Sequence, residues 1–134
     1  MQLPQAVLRE NYMPKRILIV EDFDDLRDAL SIMFELMGLD VAVAADGREA
    51  VAQAKEHRPD LILMDLAMPA FDGIMATREI RSLPEFSQVP IVAVTAHGQH
   101  LRDAAMEAGC TDVVDKPFVM EHIKEVLEKY LSEN

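Results

Sequence analysis

The amino-acid sequence predicts an α/β fold in which five βα units build a doubly wound, five-stranded parallel sheet. Short apolar runs alternate with longer amphipathic segments along the chain. The runs are rich in β-branched residues and lack polar alternation, which is typical of parallel strands covered on both faces. Half of the 134 residues are apolar, which is enough for one domain with one core.

Five apolar runs are predicted to be the strands. They are ILIV (17–20), VAVAA (41–45), LILM (61–64), IVAVT (91–95) and VV (113–114). Because parallel strands are joined by right-handed crossovers, few topologies remain. An open sheet with helices on both faces is the simplest of them.

The segment after the first strand, residues 24–38, is predicted to be a helix with Asp24 as its cap. Its apolar residues recur at helical spacing and are expected to face the core. They are Leu26, Ala29, Leu30, Met33 and Met37. The second helix is predicted over residues 46–57, where Asp46 caps the helix and Glu49 stands three positions later.

Three further helices are predicted after the third, fourth and fifth strands. They are GIMATREIRSL (73–83), LRDAAMEAG (101–109) and VMEHIKEVLEKYL (119–131). The last of them carries apolar residues at helical spacing. These residues are Met120, Ile123, Leu127 and Tyr130.

Composition excludes several classes of function. Thirteen Lys and Arg against 24 Asp and Glu leave a net charge of −11, whereas a DNA-binding surface needs clustered basic residues. The single cysteine, Cys110, cannot form an internal disulfide, and residues 1–16 lack the basic start and apolar stretch of a signal peptide. No apolar run approaches the roughly 20 residues of a membrane span. We therefore expect a cytoplasmic protein that binds neither DNA nor membranes.

Polar residues follow four of the five predicted strands. They are Glu21-Asp22 after the first strand, Asp65 after the third, Thr95 at the end of the fourth and Lys116 after the fifth. Ligands of doubly wound sheets bind beyond the carboxyl ends of the strands. These side chains are therefore expected to form one site.

The three carboxylates of this site repel one another and need a cation. At about 5 Å separation and an effective dielectric near 20, each pair costs roughly 3 kcal/mol. Oxygen-only ligands select a hard ion, and so sparse a set suits Mg²⁺, with Mn²⁺ able to substitute. Lys116 offers a positive charge and Thr95 a hydroxyl donor to phosphoryl oxygens. The set is therefore complementary to an acyl phosphate.

These residues give the chain a resemblance to the receiver domain of two-component response regulators, from about Arg16 to Leu131. The resemblance rests on four motifs in the expected order. They are Glu21-Asp22, Asp65 in LILMDLAMPAFDG, Thr95-Ala96 in IVAVTAH and Lys116-Pro117-Phe118 in VVDKPF. It implies a flavodoxin-like sheet with strand order 2-1-3-4-5, as in single-domain chemotaxis regulators. Residues 15–134 would be the receiver domain and residues 1–14 an extra helix, a docking arm or a disordered tail.

The resemblance also implies roles for the site residues. Asp65 would accept a phosphoryl group from a phosphohistidine on a histidine kinase or phosphotransfer protein. Asp22 and Asp65 would bind Mg²⁺ through their side chains, Ala67 through its carbonyl oxygen and Glu21 through water. Proteins of this family catalyse their own phosphorylation and dephosphorylation and are not conventional turnover enzymes. Phosphorylation would switch a surface that binds a downstream protein, whose identity the sequence does not name.

Further expectations concern the surroundings of the acceptor. The resemblance implies that Thr95 and Lys116 contact the phosphoryl group and that the Lys116-Pro117 bond is cis. Met68-Pro69 and Asp72-Gly73 would shape the loop beside the acceptor.

Two positions depart from the family's usual pattern. Val113 stands where many members have the aromatic residue that rotates on activation, so the common threonine-aromatic switch cannot operate here. Residue 67 is alanine, whereas many members carry a polar residue there that influences hydrolysis of the acyl phosphate.

Simpler roles are expected for several other residues. Four acids are interpreted as turn or solvated flanking residues without a catalytic role. They are Asp60, Asp72, Asp112 and Asp115. Cys110 is interpreted as a small buried hydrophobe. His97 either reaches the site or faces solvent.

Three functional hypotheses follow. The first is a phosphorylated receiver that acts as a diffusible output or as a phosphorelay intermediate. The second is a non-phosphorylated, receiver-like binding module, which Val113 favours and the intact site opposes. The third is an enzyme on a similar sheet. The acidic stretch EDFDD (21–25) would repel the phosphate of a flavodoxin-type site, and a haloacid-dehalogenase-type phosphatase would need an aspartate in place of Ala67.

Overall fold

Five parallel strands form a sheet of order β2-β1-β3-β4-β5 in a computed structural model that describes residues 13–68 and 72–132. The strands are β1 (Arg16–Val20), β2 (Asp40–Ala44), β3 (Leu61–Asp65), β4 (Ile91–Thr95) and β5 (Asp112–Asp115). The doubly wound sheet predicted from the sequence is confirmed. The strand order implied by the family resemblance is confirmed as well.

All five predicted helices are present, with ends that differ by a few residues. They are α1 (Asp24–Leu36), α2 (Gly47–His57), α3 (Gly73–Arg81), α4 (Gly98–Ala108) and α5 (Met120–Leu131). α4 begins three residues before its predicted start. α3 ends at Arg81 and is followed by a short 3-10 helix, Pro84–Phe86. A proline has no N–H to donate and restricts the residue before it, which explains why the α-helix ends early.

The helices cover the sheet on both faces. Leu30 and Phe34 of α1 pack with Ile123 and Leu127 of α5 on one face, against the β1 and β3 side chains that point to that side. The other face is covered by α2, α3 and α4. Their core residues include Ala50, Val51, Ala54, Ala76, Ile80 and Ala105.

Burial differs between the central and the edge strands. All residues of β3 and β4 are buried, as is β1 after its first residue. The edge strands are more open, and Val43 in β2 is 38% exposed. The expectation of full cover on both faces is therefore right for the three central strands and wrong for β2 and β5. Edge strands have a neighbour on one side only, which leaves part of their surface to solvent.

The buried face of α1 is rotated from the predicted one. Phe34 is fully buried, whereas Ala29 and Met37 are exposed. The inward residues Leu26, Leu30 and Phe34 are spaced by four, so they form one stripe along the helix. Met37 is the C-cap residue, beyond the last residue of the helix.

The predicted caps have mixed outcomes. Asp46 caps α2 as expected, since its Oδ1 accepts from the Glu49 N–H at 2.8 Å. The expectation for Asp24 is wrong, because Phe23 occupies the N-cap position and Asp24 is the first helical residue. Asp72, expected to be a simple turn residue, caps α3 by accepting from the Met75 N–H at 2.9 Å.

Two acids expected to be merely solvated have defined partners. Asp60 accepts from the Arg16 main-chain N–H at 2.8 Å, which ties the loop before β3 to the start of β1. Asp112 accepts from the Tyr130 hydroxyl at 3.1 Å, which ties β5 to the end of α5. Both contacts join segments far apart in the sequence, so local pattern does not reveal them.

Arg81 connects three chain segments at the amino ends of the strands. Its guanidinium donates to the carbonyl oxygens of Gly109 at 2.8 Å, Phe86 at 2.6 Å and Val89 at 2.6 Å. Nearby Cys110 is buried, as expected, and burial raises the pKa of its thiol. The end of α3 is thus fastened to the 3-10 helix, to the segment before β4 and to the end of α4.

The structure also bears on the predicted cis bond and on the absence of a membrane span, but not on the N-terminal extension. The Lys116-Pro117 bond is cis, as expected. Residues 1–12, most of the N-terminal extension, and Pro69 lie outside the described residues. Within residues 13–68 and 72–132, no helix combines the length and the apolar character needed to cross a bilayer.

Candidate functional site

Three acidic side chains converge at the carboxyl ends of neighbouring strands. Glu21 and Asp22 directly follow β1, and Asp65 is the last residue of β3. These strands pair in parallel, with Val20 opposite Met64, so Glu21 and Asp65 meet at the same edge. One carboxylate oxygen from each of Glu21, Asp22 and Asp65 lies within 4.8 Å of the others.

Both carboxylate oxygens of Glu21 are engaged by the protein itself. Oε1 accepts from Lys116 Nζ at 2.8 Å, and Oε2 accepts from the Phe23 main-chain N–H at 3.1 Å. The residue is only 4% exposed. The charge of this nearly buried glutamate is therefore balanced by a lysine ammonium and a main-chain dipole.

Asp65 is held in an environment that disfavours its charge. It is 4% exposed, its Oδ1 accepts from the Ala67 N–H at 3.0 Å, and its Oδ2 lies 3.8 Å from Lys116 Nζ. Burial, reinforced by the charge of Glu21, raises the pKa of Asp65 to about 6, although the Ala67 N–H and Lys116 act in the opposite direction. A cation bound beside Asp65 would oppose this shift.

Lys116 reaches the acids from the opposite edge of the sheet. It follows β5, and its main-chain N–H donates to the Thr95 carbonyl oxygen at 2.8 Å. From there its side chain extends across the ends of β4 and β3 to Glu21 in the loop after β1. The sequence-predicted lysine is thus placed among the carboxylates.

Thr95 and His97 occupy the loop after β4. Thr95 is fully buried, and its Oγ1 accepts from the His97 main-chain N–H at 3.1 Å. A hydroxyl that accepts in this way keeps its proton for another acceptor. The His97 side chain is exposed, which agrees with the solvent-facing alternative, and the Ala67 side chain is exposed too.

Two glycines bring helix starts close to the site. A Cβ at Gly73, the first residue of α3, would overlap the main-chain carbonyl oxygen of Asp65. A Cβ at Gly98, the first residue of α4, would overlap the carboxylate of Asp115. Asp115 is exposed and pairs with Thr95 in the sheet, so its carboxylate lies against the start of α4. The sequence interpretation of Asp115 as a merely solvated acid did not anticipate this contact.

Arg27 is a site neighbour that sequence reasoning missed. Its Nη1 donates to the main-chain carbonyl oxygen of Glu21 at 2.9 Å, and its Nη2 donates to Asp24 Oδ1 at 2.6 Å. The three-residue spacing of Asp24 and Arg27 indicates a helical ion pair. Nothing in the local pattern indicates the bond to Glu21.

Val113 lies on the α4 side of the sheet. It is partly buried and packs against the cluster of buried residues that includes Ala105 of α4. Its branched side chain strongly prefers few χ1 rotamers, unlike an aromatic ring that swings between two positions.

The donor set fits a hard divalent cation. The three acidic residues supply oxygen atoms only, and two oxygens bound to one Mg²⁺ at about 2.1 Å lie at most about 4.2 Å apart. A separation within 4.8 Å therefore needs only a small contraction. Since both oxygens of Glu21 are already bonded, Asp22 and Asp65 are the side chains better placed for direct coordination.

Comparison with known proteins identifies similar sequences. The sequence model of the response regulator receiver domain matches residues 17–128. The chain is 38% identical over 122 residues to the chemotaxis protein CheY of Bacillus subtilis, and the match covers 90% of this chain and 100% of that protein. Several other curated relatives are longer, such as the regulatory protein AtoC of Escherichia coli, and the chain spans 25% to 48% of their length.

Solved structures with the same fold include two informative ones. The receiver domain of the sensor histidine kinase PA1611 of Pseudomonas aeruginosa is 36% identical with a TM-score of 0.82, covering 90% of this chain and 100% of that one. Its structure has a magnesium ion coordinated in the active site cleft. The receiver domain of Ssk1 from Saccharomyces cerevisiae was solved with the histidine phosphotransfer protein Ypd1. That match has a TM-score of 0.80 and 29% identity, and it covers 87% of this chain and 88% of that one.

Proposed function

The chain belongs to the response regulator receiver domain family, and we propose that it accepts a phosphoryl group on Asp65 in a Mg²⁺-dependent reaction. The donor is the phosphohistidine of a histidine kinase or of a phosphotransfer protein. The acyl phosphate then changes a surface that binds a downstream protein.

One observation carries this proposal: the carboxylates of Glu21, Asp22 and Asp65 lie within 4.8 Å of one another, with Lys116 Nζ beside them. At such distances like charges repel by a few kcal/mol per pair, taking an effective dielectric of about 20. Burial and the charge of Glu21 raise the pKa of Asp65, and a costly cluster with such a shift is typical of a functional site.

The nucleophile is the carboxylate of Asp65. One of its oxygens forms a bond to phosphorus while the P–N bond of the phosphohistidine breaks. The electron pair of that bond returns to the imidazole, which leaves in its neutral form after taking up one proton. Since the pKa of Asp65 is about 6, the carboxylate is ionised at neutral pH and needs no separate base. Lys116 supplies positive charge to the phosphoryl oxygens, and Thr95 supplies a hydrogen bond.

The metal site in this proposal uses the same acids. Asp22 and Asp65 would hold Mg²⁺ through their side chains, Ala67 through its carbonyl oxygen and Glu21 through water. When bound, the ion offsets the negative charge that accumulates on the carboxylates and phosphoryl oxygens. Mn²⁺ is expected to substitute, because it accepts the same oxygen ligands.

The proposed partners are proteins, and the proposed compartment is the cytoplasm. A net charge of −11 disfavours direct binding to DNA. The single cysteine provides no internal disulfide, which suits a reducing compartment. The complex between a receiver domain and Ypd1 supports a phosphotransfer protein or a kinase as the donor.

The acceptor is tested by incubating the protein with Mg²⁺ and acetyl phosphate. We expect one hydroxylamine-labile phosphoryl group on wild type, none on Asp65→Asn, and an unchanged level on Asp103→Asn, which alters an exposed acid of α4. Mass spectrometry locates the modified peptide. Undiminished labelling of Asp65→Asn would overturn the assignment.

The metal site is tested by calorimetric titration of Mg²⁺. Asp22→Ala removes a proposed direct ligand and should weaken binding strongly, while Asp103→Ala should leave the affinity unchanged. Equal affinity in wild type and Asp22→Ala would place the ion elsewhere.

A further inference from the structure

We propose that Arg27 is a positioning residue that holds Asp22 in the orientation from which it binds the divalent cation. This inference rests on the proposed function, because it assigns Arg27 a role in the metal site of the same reaction. In this role Arg27 acts through Asp22, and its own contacts are with Glu21 and Asp24.

The contacts of Arg27 join the loop of the acid pair to the first turn of α1. Nη1 donates to the Glu21 carbonyl oxygen at 2.9 Å, and Nη2 donates to Asp24 Oδ1 at 2.6 Å. The Arg27 side chain is only 16% exposed, whereas that of Asp24 is 79% exposed. Asp24 therefore fixes one end of a largely buried guanidinium group, and the other end holds the loop through the Glu21 carbonyl oxygen.

These contacts restrict both peptide planes that flank the Cα atom of Asp22. The plane between residues 21 and 22 is held through its carbonyl oxygen by Arg27. The plane between residues 22 and 23 is held through its N–H by Glu21 Oε2, at 3.1 Å. Because peptide units are planar, fixing both planes fixes the direction of the Cα–Cβ bond of Asp22. Asp22 is exposed, so packing does little to orient it.

Arginine is better suited to this task than lysine. Its planar group presents several N–H donors in a fixed fork, which lets it bridge a carbonyl oxygen and a carboxylate at once. A lysine ammonium lacks that planar fork, so it would orient the two acceptors less well.

The charge of Arg27 and its orienting role predict opposite changes in Mg²⁺ affinity when Arg27 is replaced. A cation near the site repels Mg²⁺, so removing its charge alone would strengthen metal binding. Removing a group that orients a ligand typically weakens metal binding about 10- to 100-fold. The sign of the change therefore separates the two effects.

The experiment measures Mg²⁺ affinity calorimetrically on the metal-free full chain, for wild type and four variants. We expect Arg27→Met, which keeps the length of the side chain, to bind about tenfold more weakly or worse. Arg27→Lys should recover part of the loss, and Asp24→Asn should fall between wild type and Arg27→Met. Arg102→Met removes an exposed charge on α4 and serves as the matched control, with unchanged affinity expected.

A second measurement excludes a merely structural effect. Urea unfolding at zero and at saturating Mg²⁺ should show Arg27→Met folded, with a smaller stabilisation by the metal than in wild type. Equal or tighter Mg²⁺ binding by folded Arg27→Met would overturn the inference. If Arg27→Met does not fold, Arg27→Lys and Asp24→Asn decide by the same criterion. Wild type that fails to bind Mg²⁺ would instead contradict the proposed function.

Discussion

Lys116 is hydrogen-bonded to Glu21 at 2.8 Å and stands 3.8 Å from Asp65, so its ammonium is paired with Glu21 and not with the proposed acceptor. The second oxygen of Glu21 is bonded to the Phe23 main-chain N–H, which holds the carboxylate in place. Because an ammonium has three N–H donors, a phosphoryl group on Asp65 would compete with Glu21 for the charge of Lys116.

Replacing Glu21 by glutamine should lower the pKa of Asp65 below its value of about 6. The substitution removes a negative charge that raises this pKa and frees Lys116 to approach Asp65, so both effects act in the same direction. The carboxyl ¹³C chemical shift of Asp65, followed through a pH titration without metal, measures the change. Asp103→Asn is the control. An unchanged or higher pKa in Glu21→Gln would show that the two acids are not coupled.

Because the pKa of Asp65 is raised, ionisation of its carboxyl group should lower the free energy of unfolding of the metal-free protein. At pH values between 3.8, the ordinary pKa of the carboxyl group, and about 6, its pKa in the folded protein, Asp65 binds more protons in the folded protein than in the unfolded chain. Its contribution to the free energy of unfolding therefore falls as the pH rises through this window, by up to about 3 kcal/mol. Asp65→Asn keeps the size of the side chain and removes this loss.

Urea unfolding in EDTA at pH 5 and pH 7.5 tests this expectation. The stability gained by Asp65→Asn over wild type should be larger at pH 7.5, and saturating Mg²⁺ should reduce or reverse it. A gain that does not change with pH would contradict the raised pKa.

The exposed methyl group of Ala67 should give the acyl phosphate a long lifetime. Hydrolysis needs a water molecule placed in line with the phosphorus, and a methyl group cannot hold water in position. Phosphorylated wild type should therefore lose phosphate more slowly than Ala67→Asn. His97→Ala should slow the loss further if the exposed imidazole guides water.

Phosphate release after removal of the donor, in excess Mg²⁺, measures these rates. Ala52→Asn makes the same substitution at an exposed alanine of α2 and should leave the rate unchanged. Equal or slower decay in Ala67→Asn would mean that residue 67 does not limit the attack of water.

The two glycines that begin α3 and α4 should respond differently to alanine. At Gly73 the new Cβ meets main-chain atoms of Asp65 and Leu66, which cannot move without disturbing β3. We expect Gly73→Ala to cost about 2–3 kcal/mol of unfolding free energy and to weaken Mg²⁺ binding. At Gly98 the Cβ meets only the end of the exposed Asp115 side chain, so Gly98→Ala should change stability by less than about 1 kcal/mol.

Urea unfolding of both variants, with Asp115→Ala combined with Gly98→Ala as the control, checks this contrast. The combined variant should be at least as stable as Asp115→Ala alone, because the obstacle is gone. A larger loss from Gly98→Ala than from Gly73→Ala would contradict the argument.

The elements of the fold were predictable because each depends on a local pattern. Runs such as LILM (61–64) identify buried strands, and the capping residue Asp46 identifies the start of α2. The cap predicted at Asp24 failed because Asp24 lies inside the helix and bonds to Arg27, while Phe23 holds the N-cap position. The two edge strands looked like central ones because a sequence does not state which strands have neighbours on both sides.

The acids, Thr95 and Lys116 could be named from the sequence because strand ends meet at one edge of a parallel sheet. The hydrogen-bond partners of these side chains could not be predicted. Whether Lys116 bonds to Glu21 or to Asp65 depends on side-chain reach across the strand ends, and the Arg27 bond to a main-chain oxygen leaves no trace in residue type. The Asp115 contact with Gly98 likewise arises only when β5 and α4 are packed together.

The hydrogen bonds of Arg81 hold the helices more firmly at the amino ends of the strands than at the carboxyl ends. At the amino ends of the strands, one guanidinium binds three main-chain carbonyl oxygens. It holds the carboxyl ends of α3 and α4 together. At the opposite end the Ala67 N–H holds the loop after β3 to Asp65, and the His97 N–H holds the loop after β4 to Thr95, each through one hydrogen bond. A small displacement imposed beside Asp65 would therefore move the amino ends of α3 and α4 more than their carboxyl ends, which Arg81 holds.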